Sequence, residues 1–112
     1  MTAYKGDPAP LLVERKHGVA TVTINDPPWN RMGLDVMDEL ERQLDLLASD
    51  RSVRAVVFRG AGDANFSVGM DLKQLPEGIR RMGSAEAVFD QRLRVLAAIE
   101  SLEKPTVAVL LG

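Results

Sequence analysis

The chain has no cysteine, so it can form neither a disulfide nor a thiolate metal site, although that lack leaves its compartment open. It has a single histidine, His17, which excludes the H-E-x-x-H and other two-histidine spacings of metal catalysis. Charge of one sign is missing too. Lysine and arginine total 14 against 16 aspartates and glutamates, a net charge of −2 with no long run of either sign, and this excludes a nucleic-acid footprint. No apolar run approaches the roughly 20 residues needed to span a bilayer, and the first ten residues have no signal-peptide core. These absences leave a soluble, cytoplasmic protein as the default, with no metal, membrane or nucleic-acid partner.

What is present fits one compact domain at most, with 112 residues of which 46% are apolar. Residues 1–10 read as a flexible, proline-bearing arm, and 11–112 as the domain. Residues 11–16 and 19–25 flank His17-Gly18 as a hairpin, with Ala20, Val22 and Ile24 on the apolar face. His17 reads as a solvated turn residue. Two prolines make residues 25–33 a shaped loop, in which Trp29 either packs over the core edge or walls a ligand site. Leu34, Met37, Leu40, Leu44 and Leu47 form the clearest helical stripe, over 34–49, with Asp35 as its expected N-cap and Asp38–Arg42 as an i,i+4 pair. Residues 53–59 then suit a strand covered on both faces, and strand, helix, strand is a parallel crossover, so the class is α/β.

The stretch 59–75 leaves the C-terminal end of that strand, where open α/β sheets keep their ligands. Its glycines and Asn65 let the backbone turn tightly, and Asp71 can cap a following helix, so main chain alone could hold partial negative charge. Pro76-Glu77-Gly78 is expected to break that helix. Ser84 caps a long helix through Glu103, with Phe89, Leu93, Leu96, Ile99 and Leu102 as its buried stripe, and Lys104-Pro105 ends it. Residues 106–112 read as a buried strand.

Gly60-Ala61-Gly62 invites a dinucleotide fingerprint, but Asn65 stands where the third glycine of G-x-G-x-x-G belongs and no helix opens directly after the turn. No P-loop lysine follows. Glu39, Glu41, Asp38 and Asp45 sit on a polar helix face and read as solvation, not acid–base machinery.

Phe66-Ser67-Val68-Gly69-Met70-Asp71-Leu72 survives these exclusions. It resembles the F-[SC]-A-G-A-D-[LI] motif of the crotonase superfamily, the enoyl-CoA hydratases and isomerases. Agreeing features in order are the 19–25 strand leading into Asp26-Pro27 and Asn30, the helix from Asp35, the 50–53 entry to the next strand, and Lys104-Pro105-Thr106-Val107-Ala108. The resemblance implies the N-terminal part of a crotonase-like ββα spiral fold, incomplete because the chain stops at Gly112, about where a glycine-rich turn would begin.

It also implies an acyl-CoA thioester substrate whose enolate oxygen is held by two backbone N–H groups, the first that of Met70. Coenzyme A belongs to the substrate, and no separate cofactor is implied. The backbone around Pro28, Asn30 and Arg31, with Ser67, Val68, Gly69, Met70, Asp71 and Leu72, would line the substrate channel, although Asp71 reads first as a cap. Met70 and Val68 replace usual alanines and would narrow the acyl pocket. The second oxyanion donor and the acid–base glutamates would lie beyond Gly112. By analogy with relatives, the whole domain would be a trimer or hexamer. The alternative is a non-catalytic short protein that binds acyl-CoA or completes its sheet against another chain.

Overall fold

The computed structural model describes residues 9–110. The chain runs β1 (Leu11–Lys16), β2 (Val19–Ile24), β3 (Arg31–Met32), α1 (Leu34–Ser49), β4 (Ala55–Gly60) and β5 (Gly69–Met70). A 3₁₀ turn (Leu72–Gln74), α2 (Leu75–Met82), α3 (Ala85–Glu100) and β6 (Thr106–Ala108) follow. The main sheet has the order β1-β2-β4-β6. β1 and β2 are the antiparallel hairpin, whereas β2 pairs with β4 in parallel, Val22 opposite Phe58, so β2–α1–β4 is the expected crossover. β6 adds in parallel to the far side of β4, Val57 opposite Val107.

The single apolar stripe of α1 packs on the sheet as its spacing requires. Met37, Leu40, Leu44 and Leu47 are buried on Ala20, Val22 and Ile24 of β2 and Val56 and Phe58 of β4, with Val95 of α3 closing the cluster. Each such side chain contributes roughly 1.5–3 kcal/mol by leaving water. Lys104 fastens the far end of this layer, its Nζ donating to the Leu47 carbonyl and, at 2.7 Å, to that of Asp50, where α1 has no basic residue of its own.

Several expectations are corrected. Gly33, not Asp35, is the N-cap of α1, and the missing cap is replaced by Gln74, whose Oε1 accepts from the Leu34 N–H at 2.6 Å. Arg42 engages Glu39, and Asp38 is taken up by Arg81 and Gln91. In β4 only Val56, Phe58 and Gly60 are buried, while Ala55, Val57 and Arg59 are half-exposed, so one face is covered instead of two. Pro76 opens α2 where its missing N–H costs nothing, and Gly83 at φ 97° ends it.

Ser84 caps α3 through the Ala87 N–H at 3.1 Å, as expected, but the helix ends at Glu100, not Glu103. The stripe is the larger correction. Val88, Gln91 and Val95 face inward, Ile99 and Leu102 pack partly against the core, and Phe89, Leu93 and Leu96 are exposed. Gln91 tolerates burial because Asp38 and Glu41 accept from its amide. β6 is likewise exposed at the sheet edge, Val107 at 55% and Leu110, beyond it, at 74%. Of the expected arm over 1–10, only Ala9 and Pro10 are described, and both carbonyls accept from Asn25; Leu111 and Gly112 also lie outside the described residues.

Candidate active site

The segments 25–33 and 60–74 are knotted together by one side chain. Asn30 is wholly buried, and its Nδ2 donates to the carbonyls of Ala61 (3.0 Å) and Asn65 (2.8 Å) while its Oδ1 accepts from the Asp26 N–H (3.1 Å). It holds a left-handed φ of 52°, a conformation asparagine accepts more readily than most residues. Its main chain is engaged as well, the N–H donating to Asp26 at 2.6 Å and the carbonyl accepting from Ser67 Oγ at 2.6 Å. Asn30 therefore positions the loop through its buried side chain.

Gly60 makes this approach possible. A Cβ there would stand 2.2 Å from the Phe66 carbonyl and 2.4 Å from Asn30 Nδ2, closer than any side chain could be accommodated. Ser67 Oγ, besides bonding Asn30, accepts from the Gly69 N–H at 2.9 Å, and the Val68 N–H donates to Trp29 at 3.0 Å. Asn65 Nδ2 reaches the Pro28 carbonyl at 2.7 Å. The Pro27–Pro28 peptide is cis.

These ties set β5 on β3 as a two-residue parallel ladder, Arg31 opposite Gly69 and Met32 opposite Met70. Gly69 has φ 97°, which only glycine adopts without strain, and open space surrounds it. Thus Pro28, Arg31, Ser67, Val68, Gly69 and Met70 are brought together as one main-chain assembly. Asp71 accepts from the Lys73 N–H at 3.2 Å as the cap of the 3₁₀ turn, and Leu72 points into solvent. Trp29 lies 5.9 Å from the Arg31 guanidinium and is half-exposed, so it stacks with a cation at the surface. Arg31 also pairs with Asp26 at 3.6 Å.

Two residues at this site carried no sequence signal. Gln74 both caps α1 and fills the space that a Cβ on Gly33 would need. Arg92 of α3 donates from Nη2 to the Met32 carbonyl at 2.9 Å. A narrow crevice lined by Met32, Met70, Asp71, Gln74, Val88 and Arg92 separates the ladder from α3. On the other side of Met32, a wholly apolar cavity of about 200 Å³ runs between Phe58, Phe66, Leu96 and Ile99. A larger gap of about 520 Å³, between α1 and the end of α3, lies away from the loop. Among the described residues, no group of His, Cys, Asp and Glu could hold a metal ion, and no helix is long and apolar enough to cross a membrane.

A parallel β–α–β crossover, with a main-chain loop docked at the C-terminal end of its second strand, defines an α/β core. Residues 14–112 match the family model described as enoyl-CoA hydratase/isomerase. The chain is 30% identical over 103 residues to the short-chain-enoyl-CoA hydratase of Clostridium acetobutylicum, covering 91% of this chain and 39% of that protein. It is 26% identical to the mitochondrial 3-hydroxyisobutyryl-CoA hydrolase of Bos taurus, all of this chain against 30% of that one. An enoyl-CoA hydratase/isomerase structure from Xanthobacter autotrophicus superposes with a TM-score of 0.79 at 32% identity, covering 92% of this chain and 39% of that one.

The chain belongs to the enoyl-CoA hydratase/isomerase family. Its fold is crotonase-like, and it spans less than half the length of these relatives.

Proposed function

We propose that the loop after β4 holds the carbonyl oxygen of an acyl-CoA thioester, with the Met70 main-chain N–H as one half of an oxyanion hole. The observation that carries this reading is the docking of β5 on β3 by Asn30, Ser67 and Gly60, which fixes the backbone at Met70 before any ligand arrives. A donor fixed in advance stabilises charge that develops on the oxygen as the adjacent carbon loses a proton, at about 3–4 kcal/mol per donor in measured cases. No side chain is needed for this, so methionine serves in place of alanine. Main chain at Pro28 and Arg31 and the turn from Val68 to Leu72 form the wall along which the coenzyme A portion lies.

Hydration or double-bond shift also needs a second donor and an acid–base pair. Asp71, beside Met70, is committed as a cap. In this reading those groups come from polypeptide that covers α3 and β6. Titration calorimetry with butyryl-CoA tests the hole itself. Met70→Ala should bind within about threefold of the unaltered chain, whereas Met70→Pro, which removes the N–H donor as well as the side chain and fixes φ, should lose about tenfold or more. Equal affinities for the two variants would refute the role of the N–H.

A second reading, association through the exposed face, is favoured by the open edge of β6 and the apolar row Phe89, Leu93 and Leu96 on α3. Sedimentation in dilute solution would show a trimer or larger species if this face is an interface. A monodisperse monomer would count against it.

A further inference from the structure

α3 buries Val88, Gln91 and Val95 and leaves Phe89, Leu93 and Leu96 in solvent, at 42%, 65% and 53% exposure. A row at i, i+4 and i+7 is the surface that a second helix meets when it lies along the first. Apolar residues exposed singly need no explanation, but a row of them does. Leu96 is also part of the wall of the apolar cavity of about 200 Å³ between Phe58, Phe66 and Ile99, so the row ends at a socket with room for one aromatic ring. Around the row the charge is of one sign. Glu86, Asp90 and Glu100 are exposed within one turn of it, and none of the three is in an ion pair among the described residues. Arg94, one turn on from Asp90, is held by Glu41 of α1. Two copies of the chain meeting through this face across a two-fold axis would set these carboxylates against their own counterparts, which is unfavourable where the contact excludes water. A cationic surface gains from the same arrangement.

We propose that this side of α3 is the docking site of a partner helix with an apolar row, one aromatic anchor in that row for the socket beside Leu96, and lysine or arginine on its flanks. Burial of the two rows supplies the affinity, and the anchor, desolvated in its pocket, carries the largest share of it. The carboxylates set the sign of the partner and speed its approach. In the thioester reading this is also the side from which the second donor and the acid–base pair arrive, but the docking inference stands on the face alone.

Fluorescence anisotropy on the full chain would use labelled peptides of about five helical turns. The first has leucine at i, i+3, i+4 and i+7, one phenylalanine at the centre of that row and lysine elsewhere; the second has glutamate for lysine; the third shuffles the first so that no apolar face forms. The first should bind at least about tenfold more tightly than either of the others, and replacing its phenylalanine by alanine should cost about tenfold. Leu93 is exposed, so Leu93→Asp keeps the fold while making the chain more acidic. That variant would strengthen a plain charge attraction, whereas docking on the row predicts a loss of about tenfold. Glu86→Lys with Asp90→Lys should reverse the preference between the lysine and glutamate peptides. Equal binding of the ordered and shuffled peptides, undiminished binding by Leu93→Asp, or no binding of any peptide would overturn the inference. So would a dimer or larger species of the chain alone that Leu93→Asp disperses, since the occupant would then be a second copy. Butyryl-CoA binding decides the Met70 reading separately, so either can fail without the other.

Discussion

At the C-terminal end of β4 lies the loop of residues 60–71, and beside its outer edge lie β6 and the exposed side of α3. Around the loop, polar groups that would be orphaned by burial are taken up by named neighbours: Asn30 serves Ala61, Asn65 and Asp26, and Ser67 serves Asn30 and Gly69. The α3–β6 face has apolar side chains and an open strand edge turned outward instead. One region closes on itself through hydrogen bonds, and the other is built from surface that gains by being covered. Shape at the first should survive without help, while the second should be indifferent to polar substitution unless something docks on it.

Breaking the loop should have the largest effect. Asn30→Ala leaves two carbonyls and an N–H without their partner, at about 3 kcal/mol in all, measurable by urea unfolding. Gly60→Ala drives a Cβ into main-chain oxygens that cannot yield as a side chain would, so it should cost roughly 2 kcal/mol and abolish acyl-CoA binding. Gln74→Ala removes the cap of α1 and should cost about 1 kcal/mol. On the other face, Leu93→Asp should change monomer stability by less than about 0.5 kcal/mol, and if the face is an interface it should abolish self-association seen by sedimentation.

The smallest effect concerns pH. Glu41 has its carboxyl held below the ordinary glutamate value chiefly by its hydrogen bond from Arg94, so its folded pKa lies under its unfolded one. The α1–α3 tether is therefore fully present above about pH 4.3 and is lost as pH falls through the lower folded value. Because the pair is exposed, the melting temperature should drop only slightly more on acidification than in Glu41→Gln, which has no such dependence.

How far the sequence could be read follows the same division. α1 was legible to its last residue because it has one apolar stripe and a single way to bury it. α3 has two, and the richer one, Phe89, Leu93 and Leu96, faces out because Val95 joins the core, Gln91 meets Asp38 of α1 and Val88 packs beside Gly78 of α2. Period alone ranks stripes by their apolar content, and Gln91 is buried through partners on α1 that no local pattern reveals. In the site, the motif from Phe66 to Leu72 located the turn, since glycine and serine positions there are set by local backbone. Gln74 and Arg92 were invisible because their bonds reach 40 and 60 residues away. Pro76 misled because a proline that ends one helix and a proline that opens the next look alike without the cap at Gly83.

The claim that Met70 offers a prearranged main-chain donor can be read at the atom concerned. In a ¹H–¹⁵N correlation spectrum of the labelled chain titrated with butyryl-CoA, the Met70 amide should move downfield. Further shifts should be confined to residues 28–32 and 66–72, while the amides of α3's outer face stay still. A Met70 amide that does not move while other signals do would contradict the account.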